Sequence, residues 1–220
     1  DGTGTDARFY NPTDITIVGT NLYVADQSNN KIRKIVISTG EVTTLAGTAS
    51  TESGITDGTG ADARFNFPSG ITTDNTSLYV VDQSNQKIRK IVISSGEVTT
   101  LAGTASTESG YTDGTGTDAR FNGPSGITSD GTNLYVSDTN NHKIRKIEIA
   151  TGEVTTLAGT ASTESGITDG TGTDARFNNP TGITSDSTSL YVSDSSNHKI
   201  RRIVISTGVV TTLAGTASTE

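Results

Sequence analysis

A chain of 220 residues with a formal net charge of −8 and a pI near 4.7 is repelled by phosphate backbones and anionic membranes, so neither nucleic acid nor membrane is expected as a partner. With no Cys, Met or Trp and only 30% hydrophobic residues, it has no disulfide, thiolate metal site or cysteine nucleophile. Its core must come from Ile, Val and Leu in short β-type segments. The Thr-, Ser-, Gly- and Asn-rich composition, without an apolar leader or transmembrane run, suits an extracellular or cell-surface protein of bacterial type, and a start at Asp1 suits a processed product or an excerpt.

In chain order, "DGTGTD" (1–6) comes first. Asp1, Thr3 and Asp6 offer oxygens around glycines, but the third acidic ligand and terminal Glu of a calcium loop are lacking. A turn in which Asp caps backbone amides is the simpler reading, and no metal or cofactor is assigned. "DARF" (6–9) follows, then four strand-like runs: "DITIVGT" (14–20), "NLYVAD" (21–26), "KIRKIVIS" (31–38) and "EVTTLAG" (41–47). The links "GTN", "QSNN" and "STGE" are short and rich in turn formers, which predicts three antiparallel hairpins and hence a four-stranded meander.

"DGTG" returns at Asp57, Asp113 and Asp169, a period of 56 residues, giving repeats 1–56, 57–112, 113–168 and 169–220. A unit of this length cannot bury both its faces alone and must stack on its neighbours. About twenty nearly invariant residues join each fourth strand to the next copy. They suit a crossing from the outside of one sheet to the inside of the next, with Phe9, Phe65, Phe121 and Phe177 plugging the seam. The expected fold class is all-β: a single β-propeller domain of four blades, each a four-stranded antiparallel meander.

"FNNPTGITSD" through "SLYVSDSSNHKIRRI" (177–203) resembles an NHL repeat, with Asn197, His198 and Ile200 at the element from which that family takes part of its name. Copy three matches through Asn141, His142 and Ile144. Copies one and two keep Asn29 and Asn85 but have Asn30 and Gln86 in place of His. The resemblance implies the propeller fold and no particular reaction, since the family includes binding scaffolds, RNA-binding modules and some lyases or hydrolase-like enzymes. Six blades are usual, so four copies suit a closed ring, half of an eight-bladed homodimer, or part of a longer array.

Asp26, Asp82, Asp138 and Asp194 are expected to pair with Arg33, Arg89, Arg145 and Arg201 as repeated structural bridges. The Lys-Ile-Arg-Lys runs are expected to be solvated edge residues. His142 and His198 are expected to be neutral surface imidazoles.

Differences among the copies gather at the lead-in to the first strand and at the turn between the second and third. Tyr10, Asn11, Asn30, Phe67, Gln86, His142, Asn179 and His198 are the candidate binding face. A second cluster, Val18, Asp74, Asp130 and Asp186 among it, falls at the opposite end. Copies so alike do not build one asymmetric active site, so the expected function is non-catalytic recognition or assembly with a protein or glycan partner. One alternative is an NHL-like lyase or hydrolase with a metal in the central channel; another is a purely structural repeat, amplified or engineered, with no ligand.

Overall fold

Alternating apolar and turn-forming residues build the same unit four times in the computed structural model, whose described residues are 1–216. Residues 1–108 and 109–220 form two compact units of two repeats each. No helix among the described residues is long and apolar enough to cross a membrane.

The first unit contains blade 1, made of β1 (Gly2–Thr3), β2 (Pro12–Val18), β3 (Asn21–Asp26), β4 (Lys31–Val36) and β5 (Glu41–Ala46). Its blade 2 is made of β6 (Gly58–Thr59), β7 (Pro68–Thr73), β8 (Ser77–Asp82), β9 (Lys87–Val92) and β10 (Glu97–Ala102). The second unit contains blade 3, with β11 (Gly114–Thr115), β12 (Pro124–Ser129), β13 (Asn133–Asp138), β14 (Lys143–Glu148) and β15 (Glu153–Ala158). Blade 4 has β16 (Gly170–Thr171), β17 (Pro180–Ser185), β18 (Ser189–Asp194), β19 (Lys199–Val204) and β20 (Val209–Ala214).

Each sheet is antiparallel with the spatial order β1-β5-β4-β3-β2 or its equivalent. The meander of four strands is therefore present, and a fifth strand of two residues is added to its outer edge by the "DGTG" that opens the same copy, with Gly2 opposite Val42 and Thr3 opposite Glu41. The connection thus first pairs with the far edge of its own blade and only then passes to the inner strand.

Period-two alternation explains how one strand serves two interfaces. In β3, Tyr23 and Ala25 face one way and join Ile32 and Ala46 against Phe65, Ile71, Leu78, Val80 and Ile91 of blade 2. Leu22 and Val24 face the other way. The second unit repeats this arrangement, with Tyr135, Ile144 and Ala158 of blade 3 against Phe177, Leu190, Val192 and Ile203 of blade 4. Phe65 and Phe177 are fully buried in these seams, each contributing about 2–3 kcal/mol by area removed from water.

The near-invariance of the connection follows from its backbone bonds. Gly47 N donates to Gly60 O at 3.0 Å, Gly54 N to Phe65 O at 3.0 Å and Arg64 N to Thr56 O at 3.0 Å. Gly47 has φ 111°, and a Cβ there would lie 2.7 Å from the Asn30 carbonyl oxygen, so no other residue fits without backbone movement.

The Lys-Ile-Arg-Lys runs correct the expectation of solvated edges. They occupy β4 and its equivalents, the middle strand of each sheet, and Lys87, Lys143, Lys199 and all four Arg are buried. Lys87 Nζ donates to the carbonyl oxygens of Thr104 and Ser106, and Lys143 Nζ to those of Thr160 and Ser162. Burial draws the ammonium groups of Lys87 and Lys143 below their ordinary value, and the adjacent guanidinium adds to this. The chain is acidic overall, yet these cations sit inside because the connecting loop supplies carbonyls.

Candidate binding face

The lead-in to each inner strand is held by one buried carboxylate. Asp26 Oδ1 accepts from Tyr10 N at 2.8 Å, while Oδ2 accepts from Asn29 Nδ2 at 2.9 Å and Arg33 Nη1 at 2.7 Å. Arg33 Nη1 also donates to Arg8 O at 3.0 Å, its Nη2 meets Asp1 Oδ1 at 2.9 Å, and its guanidinium lies 5.1 Å from the centre of the Phe9 ring. The same bridges join Arg89 to Asp82 and Asp57, Arg145 to Asp138 and Asp113, and Arg201 to Asp194 and Asp169. Four repetitions of one geometry make the pair a structural clamp, as the spacing indicated. Burial pushes the Asp82 and Asp138 carboxyls up, and Arg89 and Arg145 oppose the shift.

The opening "DGTG" aspartates belong to this clamp. Asp57 Oδ1 accepts from Arg89 Nη2 and Thr100 Oγ1, and its Oδ2 from Thr100 N. Among the described residues no group of three or more His, Asp or Glu side chains is placed to hold a metal ion.

Each β3–β4 link is a single 3₁₀ turn, Gln27–Asn29 in blade 1, followed by Asn30 in the left-handed region. Ser28 N donates to Tyr10 O at 3.0 Å, which fixes this turn beside the lead-in to β2. The nominated residues of each blade therefore do lie together. Seven of the eight share a backbone state that was not foreseen: φ is 55° at Asn11, 54° at Phe67, 50° at Asn179, 54° at Asn30, 57° at Gln86, 55° at His142 and 54° at His198. Gly123, which stands where Asn11 and Phe67 stand, has φ 56°. That glycine, with the Asn residues in the series, was the available signal, because these types enter the left-handed region most readily. Phe67 does so at a cost of roughly 1 kcal/mol or more.

Some nominated residues clasp adjacent blades. Asn30 Oδ1 accepts from Phe67 N at 2.9 Å while its Nδ2 donates to Thr51 O at 2.9 Å. His142 Nδ1 accepts from Asn179 N at 3.0 Å. His142 is accordingly half-buried rather than a surface imidazole; desolvation draws its pKa down, with Asp194 opposing and Lys143 assisting. His198 is exposed. Asn11 Nδ2 reaches Gln27 Oε1 at 2.8 Å, Asn179 Nδ2 reaches Ser196 Oγ at 3.1 Å, and Gln86 N donates to Gln83 O at 3.1 Å. Of the nominated residues, Tyr10 and Phe67 are open aromatic groups, 65% and 45% exposed. Such a surface offers flat rings beside amide and imidazole edges, which suits contact with a polar partner.

The second cluster closes the β7–β8 link and its equivalents at the opposite end. Asp74 Oδ1 accepts from Thr76 N and Ser77 N, and Oδ2 from Tyr79 OH at 2.7 Å. Burial raises the Asp74 pKa, but these donors outweigh it and hold the carboxyl at about 2. Blade 1 has Val18 at this position and lacks the lock.

Stacked antiparallel meanders with an inner-to-outer strand order define an all-β chain of β-propeller blades. The NHL repeat profile matches residues 121–147. A human relative, NHL repeat-containing protein 2, is 36% identical over 145 residues, covering 62% of this chain and 20% of its own length. Among solved structures, an auxiliary nutrient binding protein from Bacteroides ovatus superposes with TM-score 0.69 at 21% identity, covering 94% of this chain and 50% of that one. Virginiamycin B lyase from Staphylococcus aureus superposes with TM-score 0.61 at 18% identity, covering 93% and 55%. The chain spans about a fifth of the human relative and about half of these solved chains. The profile match and the human relative make the chain similar to NHL-repeat proteins over those residues, and the solved structures share its β-propeller fold.

Proposed function

We propose that the chain is a non-catalytic recognition or assembly scaffold, displayed outside a bacterial cell, that engages a protein or glycan through the face formed by the lead-ins to the inner strands and the adjacent 3₁₀ turns. One observation carries this reading. The backbone at these positions is the same in every copy, held by the Asp–Arg clamp, while the side chains it displays change from copy to copy. A fixed frame with varied side chains is how rigid scaffolds carry binding loops. Likeness in fold to a nutrient-binding protein supports a binding role, and the net charge of −8 favours neutral or basic partners over nucleic acid or membrane. The test is a glycan and protein array followed by calorimetry on any ligand found. Tyr10→Ala with Phe67→Ala should weaken binding tenfold or more, as expected for loss of central aromatic contacts. Unchanged affinity in that double variant would place the partner elsewhere.

A further inference from the structure

Of the described non-glycine residues with positive φ, Phe67 alone carries a bulky apolar side chain, at φ 54°. Asn and Gly enter that region at less cost, and they are what stands at the equivalent positions, as Asn11, Gly123 and Asn179. Burial does not compensate. The Phe67 ring is 45% exposed, whereas Phe65, two residues earlier, is fully buried in the seam. Backbone strain held for the sake of an open ring points to a use for that ring outside folding.

Phe67 stands between two 3₁₀ turns of the first unit. Its N donates to Asn30 Oδ1 of the blade 1 turn at 2.9 Å, and the adjacent Asn66 O accepts from Ser84 N of the blade 2 turn at 3.1 Å. Both flanking turns are in place, so the open ring is a property of this junction. No charged side chain occurs among residues 27–30, 65–69 and 83–86, although 18% of the chain is charged. The charges that border these stretches are engaged elsewhere. Asp26 and Asp82 are clamped to Arg33 and Arg89, Lys31 and Lys87 donate to loop carbonyls, and Arg64 Nη1 folds back on the carbonyl oxygens of Ala61, Asp62 and Ala63. What remains is a flat apolar ring beside neutral amide and hydroxyl groups of the two turns. At the equivalent junction of the second unit there is no ring, and Asn179 Nδ2 donates to Ser196 Oγ at 3.1 Å.

We infer that Phe67 is the stacking platform for one pyranose unit of a neutral oligosaccharide. A pyranose has a C–H face that packs on an aromatic ring, and its edge hydroxyls exchange hydrogen bonds with amides and hydroxyls. A charged ligand would find no counter-charge here, and the net charge of −8 repels an anion. The inference rests on the recognition role proposed above and narrows it to one ligand class and one anchoring side chain.

The experiment is affinity electrophoresis of the 220-residue chain in gels holding mixed-linkage β-glucan, soluble starch or galactomannan, with polygalacturonate and diethylaminoethyl-dextran as charged controls. Calorimetry with an oligosaccharide cut from the retarding polymer follows. Wild type should be retarded by a neutral polymer. Phe67→Asn, which fits the same backbone, should weaken binding about tenfold or more while raising the urea midpoint, because the strain is relieved. Phe67→Trp keeps a ring and should keep the binding. Loss of affinity in a variant more stable than wild type cannot come from unfolding. No retardation by any neutral polymer, retardation by the charged polymers alone, or undiminished affinity in Phe67→Asn overturns the inference. A lower urea midpoint in Phe67→Asn also overturns it, since the ring would then serve the fold. When the neutral polymers fail, a protein ligand found on an array leaves the broader recognition role standing, and blank glycan and protein arrays remove that role as well.

Discussion

Arg89 Nη1 lies 2.7 Å from Asp82 Oδ2 with both side chains fully buried. The same guanidinium reaches Asp57, Arg64 O and Thr56 O, so one side chain ties the outer edge of blade 2 to the lead-in of its inner strand. Replacing Arg89 with Met leaves the Asp82 carboxylate buried beside backbone donors but without its cation. The expected loss is about 3–5 kcal/mol, read from urea unfolding. Adding Asp82→Asn to Arg89→Met should recover part of that loss, because the stranded charge is gone; a double variant less stable than Arg89→Met would refute the electrostatic account.

What could be read in the sequence followed from how each residue signals its surroundings. The four long strands of each blade were legible because Leu22, Val24, Ile32 and Val42 recur at strand spacing between turn formers. The outer strand was not, since Gly2–Thr3 is too short for any alternation to show. The Asp82–Arg89 bridge is legible in the spacing, but the burial of Lys87 is not, because a charged residue on one face of a strand ordinarily marks solvent, and here both faces are covered. The varied positions were found by comparing copies. Their shared left-handed backbone was hidden by Phe67, His142 and Gln86, types that rarely adopt it.

Asp74 gives an acid-range prediction. Its folded pKa, about 2, lies below the ordinary 3.8 because Tyr79, Ser77 and Thr76 donate to the ionised carboxylate and overcome the effect of burial. A depressed carboxyl pKa means stability that is complete above 3.8 and is lost as pH falls toward 2. Asp74→Asn should cost about 1 kcal/mol at neutral pH. The gap to wild type should shrink across that window in chemical denaturation series, and a gap constant with pH would show that the charge plays no part.

Glycine substitutions separate two kinds of constraint in the repeated connection. Gly4 has φ 56° with nothing within 4 Å of a notional Cβ, whereas at Gly47, with φ 111°, the Cβ would press on the Asn30 carbonyl oxygen. Gly4→Ala should therefore cost only the left-handed penalty, about 1 kcal/mol. Gly47→Ala should cost roughly 2–4 kcal/mol, because strain at a special backbone angle is joined by a clash that moves Asn30 and its bond to Phe67. Melting temperatures of the two variants would rank them, and equal shifts would mean that the loop yields without strain.

His142 links protonation to the packing of blades 3 and 4. Its Nδ1 accepts from Asn179 N, which requires a neutral ring, and desolvation lowers its folded pKa below the ordinary 6.5. A base with a depressed pKa contributes stability that is complete above 6.5 and declines as pH falls through the folded value. Asn30 makes the equivalent bond in blade 1 through Oδ1, which does not titrate in this range. His142→Asn should therefore keep the junction and remove its pH dependence. Between about pH 7.5 and about pH 5, wild type should lose about 0.5–1.5 kcal/mol relative to the variant, measured by urea unfolding of both at each pH. Because His198 remains in each protein, the difference isolates His142; parallel stability curves would mean that the Asn179 amide finds another acceptor when the ring is charged.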